Sequence, residues 1–201
     1  MLIEQTLVAS TIYLVALINP ISKVFFLASA EDVRRGRQLL TVSLESSAVA
    51  LMILLVFIIL GNVLFTSIFH VEIYSFQILG GIVLFTLGYR ALTKGVFYEE
   101  QESHNLSEHA LMPLASPLIA GPATITAVIA LTAQTGALHT SLATFIAIAI
   151  NFVFMLLSIV LYKLLRHYNL VGALIRVTGL IVSMISVQMI LEGLRAWIAT
   201  L

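Results

Sequence analysis

Residues 14–25 read Leu-Val-Ala-Leu-Ile-Asn-Pro-Ile-Ser-Lys-Val-Phe, an apolar run interrupted at its middle by Asn19-Pro20-Ile21-Ser22. Residues 118–124 read Leu-Ile-Ala-Gly-Pro-Ala-Thr, interrupted in the same way by Gly121-Pro122-Ala123-Thr124, with Pro122 placed 102 residues after Pro20. A second landmark repeats in the same order. Gly80-Gly81-Ile82-Val83-Leu84 matches Thr178-Gly179-Leu180-Ile181-Val182, 98 residues later. Proline lacks an N–H and opposes the carbonyl four residues before it, so each interruption breaks a helix. Matched breaks in an apolar chain point to an inverted-repeat membrane carrier and to where it binds its substrate.

The surrounding composition agrees. Of 201 residues, 60% are hydrophobic and only 10% charged, and the mean hydropathy is +1.09. Soluble domains carry about 25% charged residues, so this chain lacks the polar surface to coat a globule. About 20 apolar residues span a bilayer as a helix. Six runs qualify: Leu7–Ala30, Leu39–Phe69, Ile73–Leu92, Leu111–Ala133, Leu142–Leu165 and Leu170–Ile198, the second turning near Gly61-Asn62. Long continuous runs exclude a β-barrel, whose strands alternate over about 10 residues.

The expected architecture is therefore an all-α integral membrane protein of six transmembrane helices. It forms one domain over 1–201, made of three-helix halves 1–92 and 110–201 joined by a cytoplasmic linker at 93–109. Three spans per half insert the second half upside down, with broken helices 1 and 4. Lys23, Arg34, Arg35, Arg37, Arg90, Lys94, Lys163, Arg166 and Arg176 lie toward one side and Arg195 toward the other, which places both termini outside. The first residues, MLIEQTLVAS, lack the basic start and small-residue cleavage site of a secretory signal, so span 1 is expected to be retained. The acidic run Glu99, Glu100, Glu102 reads as a solvated part of the linker.

The chemistry expected of the site follows from the breaks. Backbone groups freed inside hydrocarbon must be buried in protein or face a water-filled cavity. The half-helix after each break offers N–H groups and a positive dipole end, which favour a carboxylate. Asn19, Pro20, Ser22, Gly121, Pro122, Thr124 and Thr126 are the candidate substrate-binding residues, the three hydroxyls supplementing the N–H groups. Lys23 and Glu45 lie at similar depth in spans 1 and 2 and are candidates for an ion pair; snorkelling to the interface is the alternative for Lys23, an interfacial position is one for Glu45, and a cavity or proton- or ion-coupling role is open to both. Asn151 either packs, together with Ala143 and Ala147, in a small-residue stripe comparable to Ser43, Ser47 and Ala50 on span 2, or turns its amide to the cavity. Gln188 either lines the cavity or bonds between helices. Glu192 and Arg195 are spaced to pair.

Other chemistries lack residues. There is no cysteine, the five histidines have no metal-ligand spacing, and no hydroxyl has a His or Asp partner for nucleophilic catalysis. No phosphate-binding glycine loop exists, so transport would be secondary, with a proton or sodium as the candidate coupling ion and no cofactor. A formal net charge of zero argues against a nucleic-acid partner. The partners expected are the lipid bilayer and a small-molecule substrate, and assembly of several copies is compatible with the sequence. A passive channel and a non-transporting accessory subunit are the alternative functions.

Four stretches carry a family resemblance: Asn19-Pro20-Ile21; residues 78–85, ILGGIVLF; residues 113–122, PLASPLIAGP; and residues 176–182, RVTGLIV, followed by QMILEGL at 188–194. In this order and spacing they make the chain resemble the MarC family of prokaryotic integral membrane proteins. The resemblance implies a six-helix plasma-membrane protein, related to the LysE-type exporters, that handles small neutral amino acids such as alanine or glycine. The chain departs from the family pattern after the first break. Ser22-Lys23-Val24-Phe25 stands where small residues and a second proline are usual.

Overall fold

The computed structural model describes residues 2–29, 36–63, 70–96, 119–168 and 170–200. Eight helices and no strand occur among them: α1 Leu2–Ile18, α2 Pro20–Ser29, α3 Gly36–Asn62, α4 Ile73–Lys94, α5 Pro122–Thr135, α6 Ala137–Leu156, α7 Ser158–His167 and α8 Val171–Ile198. Most of the linker, the acidic run, Arg34, Arg35, His104, His109, Pro113 and Pro117 lie outside the described residues, as does the first half of the fourth expected span.

Among the described residues, five stretches are long and apolar enough to cross a bilayer: Thr6–Ala28, Gln38–Gly61, Ile73–Lys94, Ala137–Leu156 and Val171–Ile198. The fourth expected span is represented by α5 alone. Large apolar side chains such as Ile59, Leu138 and Val160 stand 64% exposed or more, as lipid-facing positions require, because lipid tails are as apolar as they are. The Thr6–Ala28 stretch differs. It is 72% buried, against 28–39% for the others, so the interrupted first span runs through the centre of the bundle.

Chain directions follow from paired landmarks. Ser10 near the start of α1 contacts His139 near the start of α6, and Phe25 in α2 meets Tyr162 in α7 edge-on. The α1–α2 and α6–α7 tracks therefore run parallel. In contrast, α4 and α8 run antiparallel along a seam of small residues one heptad apart. Tyr74 faces Gly193, Gly81 faces Ser186 and Gly88 faces Gly179. A Cβ on Gly88 would lie 2.9 Å from the Gly179 carbonyl oxygen, and one on Gly179 would lie 2.8 Å from that of Gly88. Only glycine permits this approach. Small residues bring helix backbones together where no hydrophobic force exists between them.

One segment differs from the sequence reading. Residues 137–141, expected in the polar connection before the fifth span, are helical, and only Gly136 separates α5 from α6. Gly136 takes φ 87°, and its carbonyl accepts from the Thr140 hydroxyl at 3.0 Å, so the polar residues complete a helix turn instead of forming a loop. The helix of the second expected span, α3, reaches Asn62, where Gly61-Asn62 suggested a turn.

Candidate functional site

The first break forms as proline chemistry demands, and Asn19 shapes it. Asn19 adopts φ 55°, a left-handed conformation that asparagine tolerates better than most residues. Its side-chain oxygen accepts from the Ser22 N–H at 3.3 Å, its carbonyl accepts from the same N–H at 3.1 Å, and the Ser22 hydroxyl donates to that carbonyl at 2.7 Å. Asn19 thus closes α1 and caps α2. Pro20, at the first position of α2, has no N–H to satisfy. Much of the donor capacity expected to face a substrate here is consumed locally.

The second break is more open. Gly121 sits at φ −79°, ψ 170°, and no side chain caps α5. The first turn contains Pro122, Ala123 and Thr124, with Thr124 buried. This N-terminus keeps its positive end for a ligand.

One cavity of about 320 Å³ joins the two breaks. Asn19, Ser22 and Lys23 line one side, Gly121, Pro122 and Thr124 the other, and Leu84, Leu87 and Val182 from α4 and α8 form an apolar wall. Five of the seven candidate binding residues meet here; Pro20 is buried beside Asn19 but does not line the cavity. Thr126 lies elsewhere. Its hydroxyl donates to Pro122 O at 2.8 Å and to Phe76 O at 3.2 Å, and it borders a second cavity.

That second cavity, about 570 Å³, is lined on its polar side by Tyr13, Gln77, Gln134, Gln188 and Glu192. Between the two chambers α4 presses on α5. A Cβ on Gly80 would stand 3.2 Å from Ala123 Cα and 3.1 Å from Met189 Cε. Gln188 lines this second chamber and donates to Glu192 at 2.8 Å, so Glu192 bonds along α8 to Gln188 where Arg195 was the expected partner.

Lys23 departs most from expectation. It is 2% exposed, and its ammonium donates to Ile18 O and, at 3.3 Å, to the Ser22 hydroxyl. It neither snorkels to the interface nor pairs with Glu45, which is exposed on α3. Among the described residues no carboxylate bonds to it, and a charged side chain within a membrane span is costly without a partner of opposite charge. Asn151 takes the packed one of its two expected positions. It is fully buried outside both cavities, its amide N–H donating to Met155 Sδ at 3.1 Å, while its oxygen joins the hydroxyls of Ser43, Ser47 and Thr144 as buried atoms with no partner among the described residues.

Basic residues gather at one end of the bundle. Arg176 at the start of α8 approaches Gly95 at the end of α4, beside Arg90 and Lys94, while Lys163 and Arg166 of α7 border the end of α2 at Ala28. Among the described residues no group of three metal-ligating side chains converges.

The family model described as MarC family integral membrane protein matches residues 4–198. A UPF0056 membrane protein of Pyrococcus horikoshii is 30% identical over 189 residues, covering 94% of this chain and 93% of its own. One from Aquifex aeolicus is 31% identical over 192 residues, covering 90% and 89%. A UPF0056 inner membrane protein of Escherichia coli is 25% identical over 193 residues, covering 95% and 97%. No solved structure matches.

Proposed function

The chain belongs to the MarC family of integral membrane proteins, and on that premise we propose that it is a secondary transporter of a small neutral amino acid, such as alanine or glycine, working by alternating access around the two helix breaks. The observation that carries this reading is the cavity in which Asn19, Ser22 and Lys23 of the first break face Gly121 and Thr124 of the second. The substrate carboxylate sits between the uncapped start of α5 and the Lys23 ammonium, both positive. Its side chain turns to Leu84, Leu87 and Val182. A chamber of about 320 Å³ is at the small end for ligand pockets, near 300 Å³, which suits a short side chain.

The second chamber supplies the other access route. The contact of Gly80 with α5 and Met189 is the closure between them, and it opens when the breaks rearrange. The basic end faces the cytoplasm, placing the first chamber toward the inside, both termini outside, and the protein in a prokaryotic inner membrane. The parallel α1–α2 and α6–α7 tracks and the antiparallel α4–α8 pair support six alternating spans arranged as two inverted halves.

Proteoliposomes holding the full chain test this with a panel of radiolabelled amino acids, with and without proton or sodium gradients. We expect saturable uptake with counterflow for small neutral substrates. Gly121→Leu fills the chamber without backbone strain, since φ −79° accepts any residue, and should reduce flux at least about tenfold, the scale of a lost binding contact of 1.4 kcal/mol, while expression is kept. Unchanged flux removes the chamber from the pathway. Uptake without saturation or counterflow replaces the carrier by a channel.

A further inference from the structure

We infer that Lys23 is a tethered cation: its ammonium occupies, on the carbonyl that the first break releases, the place an inorganic coupling cation would take, so substrate binding here needs no sodium ion. This rests on the transporter reading and adds the identity of the cation to it. In an uninterrupted helix the Ile18 carbonyl would accept from the N–H four residues on, which is that of Ser22. Here the Ser22 N–H turns to Asn19 at 3.1 Å instead. The Ile18 carbonyl is thereby freed at the negative end of α1, inside the membrane. Carbonyls unwound in this way coordinate sodium or protons in interrupted-helix carriers.

In this chain the ligand is already attached. The Lys23 ammonium bonds to Ile18 O and to the Ser22 hydroxyl, a carbonyl and a hydroxyl being the oxygen donors a sodium ion would need. The side chain is 2% exposed, lines the chamber and has no carboxylate partner among the described residues. On the transporter reading, the substrate carboxylate is the anion that balances it. Residue 125, which occupies the matching place after the second break, is isoleucine, so the device exists at one break only.

The test combines flux and direct ion binding on the full-length protein. Binding of radioactive sodium to purified protein in detergent should be absent in the wild type. Lys23→Ala, which removes the ammonium and leaves both oxygens, should gain saturable sodium binding. In proteoliposomes, wild-type uptake should be unchanged when choline replaces sodium. Lys23→Ala uptake should fall at least about tenfold in choline and recover in sodium. Lys23→Met, which keeps the apolar stem over the carbonyl, should lose uptake in both media. Sodium binding to the wild type, sodium-dependent wild-type uptake, or a monodisperse Lys23→Ala protein that binds no sodium each overturns the inference. If Lys23→Ala fails to fold, the two wild-type measurements still decide. Wild-type protein that takes up no amino acid defeats the transporter reading, and the sodium-binding comparison then judges Lys23 alone.

Discussion

Asn19 does two jobs that different substitutions separate. Glycine keeps the positive φ and costs only a few tenths of a kcal/mol as a cap. A β-branched residue loses the cap, worth about 1 kcal/mol, and adds the left-handed strain of about 1–2 kcal/mol. Asn19→Val should therefore lower thermal stability in detergent several times more than Asn19→Gly, measured as folded protein surviving a heat step on size exclusion. Equal losses would mean that the φ of 55° is not maintained. Asn151 presents the opposite case. Its amide oxygen is buried without a partner and its N–H group meets only a sulfur, a weak acceptor. Replacing a half-satisfied buried polar group by an apolar one of similar size is close to neutral. Asn151→Leu should leave stability within about 1 kcal/mol and flux unchanged, and a fall in flux from a stable variant would bring the amide into the pathway.

The seam between α4 and α8 makes the sharpest demand among the elements. A Cβ on Gly179 would come within 2.7 Å of the Leu92 backbone nitrogen, and backbone cannot move aside as a flexible side chain does. Gly179→Ala should cost about 1–3 kcal/mol, the range for overpacking, whereas Gly172→Ala, with nothing within 4 Å of the new atom, should be neutral or slightly stabilising. Thermal denaturation of the two variants side by side checks this, and equal stability would dissolve the seam. This seam was half visible in the sequence: Gly80-Gly81 and Gly179 stood out as a repeated landmark, but the antiparallel heptad register needed Gly88 and Gly193, which composition does not single out. The breaks were legible because proline has only one way to act in a helix. Lys23 was not, because depth counted along a span cannot tell which way a long side chain turns. Nor was the helix at 137–141, where polar residues imitate a loop yet Thr140 turns its hydroxyl back onto Gly136.

For the molecule as a whole, orientation is the testable property, and a chain with no cysteine is ready for it. The end that collects Arg90, Lys94, Lys163, Arg166 and Arg176 should face the cytoplasm. A cysteine placed at Tyr168 should react with a membrane-impermeant maleimide only after the inner membrane is opened, and one placed at Thr200 should react in intact cells or spheroplasts; the reverse pattern would invert the protein. On the reading of two inverted halves, chemically identical breaks would make the inward-open and outward-open forms two-fold-related states of equal energy, and an unloaded carrier would divide its time evenly between them. One break here is self-capped by Asn19 and carries its own ammonium, while the other is an uncapped glycine followed by isoleucine at 125. That degeneracy is lifted. On the proposed carrier reading, the empty protein should have a preferred resting face, and its two half-cycles should run at unequal speeds although the equilibrium distribution of substrate across the membrane is untouched.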